Sequence, residues 1–561
     1  MSDSKSAGCA TTRRHSLGER DLHACLLRAA AVALCTILAA CDSRSSPTEP
    51  IRENSAALSA FATQCHALTE TSSGSAAIEN AVLVERGTQQ VGFFKRLLAR
   101  ILIGNGVPDV RAPVDFCRVT AKLRPAPGSQ ITAEVWLPPQ WNGKLLAFGG
   151  GGFNGGLSAA GLALLAPLKK GYVGMATDAG HADTNSAKFT HDFPEQYTDY
   201  AYRANHIAAG FLRTLATSFY GAQVKRAYFH GCSNGGRDAL MEARRFPEDY
   251  DGIIAGAPAA AWSKLMVSFA WNAQAVSAAP ELKDKLELVQ NAVIAKCDAL
   301  DGVKDQLIGN PPTCAFDPAE LQCKASAGSM CLTAGEVTAL GKIYEGPRLR
   351  DGTQVYAGMP VGGEGLNANW DHWIAKQDSA QAVFALETFR WMVYGDPKWD
   401  ISRFDIDRDY PKAEERMAPM MNSNDPDLSV FIGRGGKLLL YHGWNDAAIP
   451  AGATVDYYKS LRQTLGPVTD EHVKLFMAPG VMHCGGGIGP TDFDVLEQID
   501  RWVEGSQAPE RIIASEYDPP ALFGPAPKAK LVRTRPLCPW PKVARYKGSG
   551  STDEAANFAC E

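Results

Sequence analysis

The sequence predicts an α/β protein: a mostly parallel sheet flanked by helices, with one large segment inserted between two of its strands. Three observations lead there. Short apolar runs alternate with helical stretches. The alternation stops between about Pro258 and Asp427 and then resumes. A Gly–X–Ser–X–Gly pentapeptide falls at a strand-to-helix junction. The 561 residues, 45% hydrophobic and 21% charged, exceed one ordinary domain and have the composition of an ordered globular chain. Lys plus Arg number 56 against 61 Asp plus Glu, a net charge of -5, which offers no basic face for nucleic acid.

The amino-terminal residues are set apart from this pattern. Arg13, Arg14, Arg20 and Arg28 precede an apolar run from Ala29 to Ala40. That run is too short to span a bilayer and suits the apolar region of an export signal. It ends in Leu38-Ala39-Ala40-Cys41, the pattern of a bacterial lipobox, in which Cys41 becomes the lipidated first residue. The competing reading is a plain cleavable signal with a chance cysteine. Either way residues 1–41 are a leader, and the product is exported: a periplasmic or cell-envelope lipoprotein, or a secreted protein. Its only expected membrane contact is the lipid anchor.

Of 14 cysteines, four lie in this leader and ten beyond it. An even number in an oxidising compartment predicts five disulfides. Closeness in sequence favours Cys297–Cys314, Cys323–Cys331 and Cys538–Cys560. A thiolate metal site is the rival idea, but no CxxC spacing occurs.

The strands come next in order. Lys144–Phe148, Tyr172–Ala176, Arg226–His230, Ile253–Ala255, Leu438–Tyr441 and Val473–Phe476 are short apolar runs ending in turn residues. Residues 198–219, 237–246 and 493–502 have helical periodicity. Strands separated by helices pair in parallel, because parallel pairing needs crossovers. The domains read as 42–258, the first part of the sheet domain; 259–427, an inserted lid; and 428–561, the second part.

The strongest chemical signal is Gly231-Cys232-Ser233-Asn234-Gly235. Its glycines permit a tight turn that lifts Ser233 Oγ above the sheet as a nucleophile. In the α/β-hydrolase arrangement an acid and then a histidine follow in sequence. Asp446, just past the strand ending at Tyr441, and His483, past the next strand, supply them. His483 is expected to take the serine proton, and Asp446 to hold its tautomer. His442 is a rival base, but its place at a strand end suits a structural role. Cys232 precedes the nucleophile and Cys484 follows the base. Contact between Ser233 and His483 therefore predicts a Cys232–Cys484 disulfide.

With these motifs the chain resembles the tannase/feruloyl esterase family of α/β-hydrolases. The resemblance rests on Gly149 to Gly155 (GGGGFNG), Gly231 to Arg237 (GCSNGGR), Arg245 to Gly252 (RFPEDYDG) and Ala255 to Pro258 (AGAP). It continues through Tyr441-His442-Gly443 with Asp446, Pro479-Gly480 with His483-Cys484, and the tail from Arg535 to Cys560. It implies a serine carboxylic ester hydrolase that cleaves hydroxycinnamic or gallic esters through an acyl-enzyme, with Ser233, Asp446 and His483 as triad. It also implies oxyanion N–H groups from Gly152 and Asn234, and adds the pair Cys65–Cys117. The alternatives are a terephthalate monoester hydrolase and a non-enzymatic binding protein on an inactive scaffold.

Inside the predicted lid, Asp298, Asp301 and Asp305 flank a glycine turn. By spacing alone they are either a hard-cation site or a solvated acidic turn. The resemblance implies structural Ca2+ held by these three and the carbonyls of Val303 and Leu307, distant from the chemistry. Trp370, Trp373, Phe384, Phe389, Trp391 and Tyr394 are the candidate acyl-ring contacts. Ala382 stands where the resemblance places a carboxylate-binding arginine, with Arg390 a possible substitute. The expected partner is therefore a small phenolic ester.

Overall fold

The computed structural model describes residues 49–70, 72–73, 75–90, 111–182, 185–324, 330–518 and 529–561. The leader, with Cys41, lies outside them. Chain contacts divide the molecule into Met1–Leu58 and Ser59–Glu561, and the sheet and candidate site belong to the second unit.

One ten-stranded sheet organises that unit. Its strands are β1 (Ser72–Ser73), β2 (Ala76–Val84), β3 (Phe116–Leu123), β4 (Ile131–Leu137), β5 (Lys144–Phe148), β6 (Val173–Thr177), β7 (Arg226–Cys232), β8 (Gly252–Gly256), β9 (Lys437–Gly443) and β10 (Val473–Ala478). Their spatial order is β1-β2-β3-β4-β6-β5-β7-β8-β9-β10. β5 to β10 pair in parallel, while β1 to β4 pair antiparallel and form an edge the sequence reading did not anticipate. The difference follows from burial. β6 and β8 are buried at every position, as parallel strands covered on both faces must be. β3 instead alternates, with Arg118, Thr120 and Lys122 on its more open face.

The helices that bear on the site and the sheet are α1 (Ala204–Tyr220), α2 (Asn234–Arg245), α3 (Trp262–Ser277), α4 (Ile406–Met421), α5 (Ala451–Leu465) and α6 (Val495–Gly505), among others. Leu212, Leu215 and Ala216 of α1 join Leu145 and Ala147 of β5 in one core. On the other face Ile499 and Trp502 of α6 join Leu146 and Ile254. The two-residue period of the strand thus feeds two helical layers. The predicted 198–219 helix is α1 preceded by a π-helical turn, Asp199–Arg203.

Between Gly256 and Lys437 the chain leaves the sheet, and the described residues of this segment add no strand to it. Trp262, Phe269, Phe389, Trp399, Phe404 and Met417 form its core. That core is continuous with Phe153, Tyr200, Ala448 and Ile449 from the sheet's own loops. The segment therefore rests on loops that leave the carboxyl ends of parallel strands, where open α/β sheets bind ligands. Disulfides join Cys65–Cys117, Cys232–Cys484, Cys297–Cys314, Cys323–Cys331 and Cys538–Cys560. Such a set persists in an oxidising compartment, as an exported protein meets.

Candidate active site

Ser233 lies between β7 and α2 with φ 65° and ψ -126°, a conformation L-residues rarely adopt. Glycines around it are sterically required. A Cβ on Gly231 would lie 2.0 Å from the Gly235 carbonyl oxygen, and one on Gly235 would lie 2.8 Å from that of Gly150. Helix α2 begins at Asn234, three residues before the predicted start, because Ser233 itself caps it: its carbonyl accepts from Arg237 N–H at 3.1 Å.

Asp446, buried in the loop after β9, accepts four bonds. Its Oδ1 takes the N–H groups of Ala448 and Ile449 at 2.7 and 2.9 Å. Its Oδ2 takes His483 Nδ1–H at 2.7 Å and lies 3.1 Å from His442 Nε2. Burial alone would raise its pKa. The charge of His483 and the bonds from both imidazoles outweigh this and hold the carboxyl well below the usual carboxylate range. His483 packs edge-on against Trp373, with ring centroids 5.1 Å apart. The Cys232–Cys484 bridge, with Cα atoms 5.9 Å apart, brings the loops of Ser233 and His483 side by side.

Gly152 and Asn234 meet Ser233 in the wall of one cavity. Gly152 has φ +59°, and a Cβ there would come 2.9 Å from the Phe384 ring. The Tyr200 hydroxyl donates to the Gly152 carbonyl at 2.6 Å and lies 3.3 Å from Asn234 Oδ1. Arg237, wholly buried, donates from Nε to Asn234 Oδ1 at 2.7 Å and from its other nitrogens to the carbonyls of Ala201 and Tyr200. Those carbonyls belong to the π-helical turn, Asp199–Arg203. Asp238 pairs with Arg237 and accepts Gly150 N–H at 3.3 Å. Tyr200, Arg237 and Asp238 thus tie both N–H-bearing loops together. Arg237 stood within a quoted motif, but neither its role nor those of Tyr200 and Asp238 could be read from the sequence.

The cavity has a volume of about 50 Å³ and is open at its mouth. Trp262, Leu265, Met266 and Phe269 of α3 line it together with Trp373 and Phe384. Of the six aromatic candidates only these last two reach it. Trp370 and Phe389 are buried in the segment's own cores, and Trp391 and Tyr394 do not line it. Ala382 is also outside the wall, and Arg390 donates to the Trp399 carbonyl instead. The lining carries no charged side chain. A larger hollow of about 270 Å³, bounded by Lys264, Tyr356, Thr454 and Tyr457 among others, does not include Ser233 and is not the candidate site.

The acidic turn is assembled but not closed. Asp298 Oδ1 accepts Asp305 N–H, Asp301 Oδ1 accepts Val303 N–H, and Asp305 Oδ1 accepts Leu307 N–H. Asp305 Oδ2 pairs with Arg533 and Arg535. Burial, reinforced by the charges of Asp305 and Asp298, pushes the Asp301 carboxyl up to about 6. The all-oxygen donor set suits a hard cation. As placed, however, no three acidic, His or Cys side chains among the described residues are arranged around one ion. Leu307 at the end of the turn packs against the loop before His483: a Cβ on Gly480 would lie 2.5 Å from its side chain.

Sheet order, nucleophile turn and cavity define an α/β-hydrolase-type esterase. The model of the family described as tannase and feruloyl esterase matches residues 117–561, so the chain belongs to that family and is a carboxylic ester hydrolase. It is 34% identical over 491 residues to an uncharacterized esterase of Xanthomonas campestris, covering 79% of this chain and 84% of that one. It is likewise 34% identical over 497 residues to a mono(2-hydroxyethyl) terephthalate hydrolase of Piscinibacter sakaiensis, covering 77% and 81%. The crystal structure of feruloyl esterase B from Aspergillus oryzae superposes with a TM-score of 0.78 at 26% identity, covering 89% of this chain and all of that one.

Proposed function

We propose that this enzyme hydrolyses esters of hydroxycinnamic-type aromatic acids through an acyl-enzyme on Ser233. Ser233 Oγ attacks the ester carbonyl carbon while His483 Nε2 takes its proton. The N–H groups of Gly152 and Asn234 receive the oxyanion, and the alcohol leaves with the proton from His483. Water then repeats the sequence on the acyl-enzyme. Asp446 stays ionised and stabilises the imidazolium.

The observation that carries the substrate class is the cavity wall: aromatic and apolar, uncharged, and touching Ser233. An acyl group bearing a free carboxylate would lose its hydration there with no cation to meet it. The Trp262 indole N–H is buried and has no partner among the described residues. Parallel rates on methyl ferulate, methyl gallate and mono(2-hydroxyethyl) terephthalate test this, with the ferulate ester expected fastest. A terephthalate rate above it would transfer the assignment to the activity named for the Piscinibacter relative.

The calcium reading remains part of the proposal. Asp298, Asp301 and Asp305 with the carbonyls of Val303 and Leu307 would hold Ca2+ and brace the turn beneath Gly480. Export with lipid on Cys41 is the corresponding proposal for the leader, checked by labelled-palmitate incorporation in the wild type but not in Cys41→Ser.

A further inference from the structure

His442 is the penultimate residue of β9 and is completely buried. Its Nε2 lies 3.1 Å from Asp446 Oδ2 and 3.1 Å from the Ile449 carbonyl oxygen. An ionised carboxylate and a carbonyl can only accept, so the ring carries a proton on Nε2. Nδ1 meets the Thr454 hydroxyl at 2.7 Å, which can donate to it. The oxygen that receives His483 Nδ1–H therefore receives a second imidazole N–H. His442 does not line the acyl cavity, and the proton transfers of ester hydrolysis do not pass through it.

We propose that His442 is a positioning residue that sets the basicity of His483 by sharing its carboxylate oxygen. An oxygen divided between two donors gives less to each. Without the His442 N–H, Oδ2 would serve His483 alone, stabilise its imidazolium more strongly, and make the base release its proton only at higher pH. The shared arrangement keeps His483 neutral, and so able to act, further to the acid side. Asp446 and His483 face this pair from their loops. Tyr356 of the inserted segment feels the charges of Asp456 and Asp446, Asp456 being on α5. Thr454, also on α5, does not titrate.

The inference rests on the Ser233–His483–Asp446 reading, and the two are separable. Profiles of kcat/KM against pH on one aryl ester are compared for the wild type, His442→Leu and His442→Gln; glutamine places an amide N–H where Nε2 stood. Leucine should move the acid limb upward by about half to one pH unit, with the change falling on kcat rather than KM. Glutamine should return it to within about 0.2 unit of the wild type. An unmoved limb in a folded, active His442→Leu overturns the inference. If that variant does not fold, 15N-histidine spectra of the wild type decide. The His442 Nε2–H signal should shift in step with His483 titration, and an invariant signal overturns the inference. A Ser233→Ala enzyme that keeps its activity would instead overturn the triad reading.

Discussion

In the loops of the sheet, Asp446, His483 and Asn234 are held by directed bonds. Asp446 accepts four N–H groups, Arg237 fastens Asn234, and a disulfide ties the loop of Ser233 to the loop of His483. On the inserted side, Trp262, Leu265, Met266, Phe269, Trp373 and Phe384 are placed by packing, and the indole N–H of Trp262 has no partner among the described residues. Directed bonds fix atoms, whereas packing fixes volume and tolerates replacement. The difference teaches that the two sides are held by different means, the loops of the sheet by bonds between named atoms and the cavity wall by the shape of its neighbours.

Ser233→Ala attacks the sheet side where nothing compensates, and hydrolysis of any ester should fall by about 10⁴-fold or more. Residual turnover above that level, measured against a Ser233-blocked control, would break the contrast outright. Replacing Cys232 and Cys484 together with serine comes next. Their bridge closes 252 residues of chain, worth roughly 5 kcal/mol on loop-entropy grounds. Both Tm and kcat should drop, with KM nearly unchanged. A variant of lowered Tm but full kcat would show that the bridge stabilises without positioning.

Phe384→Ala tests the other side. Loss of an aromatic contact of about 1 kcal/mol should cut kcat/KM several-fold for feruloyl esters and leave acetyl esters nearly untouched. Equal losses on both would mean that Phe384 serves the chemistry through Gly152. The smallest effect belongs to the acidic turn: added Ca2+ should raise Tm by about 2–5 °C, and Asp301→Asn should abolish the rise. No change on adding Ca2+ or a chelator would remove the ion from the description.

The parallel half of the sheet was legible because its strands are buried over most of their length, β6 and β8 at every position, so each reads as a mainly apolar run between turn residues. β3 was not: Arg118 and Lys122 interrupt it, as one open face requires. The start of α2 was misplaced because Gly235 and Gly236 argue against helix locally, while packing of Gly235 on Gly149 and Gly150, and of Gly236 on Gly256 and Pro258, demands them. The cavity wall on α3 left a trace in the sequence. Trp262, Leu265, Met266 and Phe269 are spaced i, i+3, i+4, i+7, but such a stripe reads equally as plain core. The second N–H on Asp446 left none, since only the return of the loop after β9 brings it beneath His442.

The Cys232–Cys484 bridge also has a bearing on timing. The ribosome makes Cys484 long after Cys232, so the strand that leads to Ser233 exists well before the loop that carries His483. Closing the bridge is the step that ties these two segments, 252 residues apart in the chain, to each other.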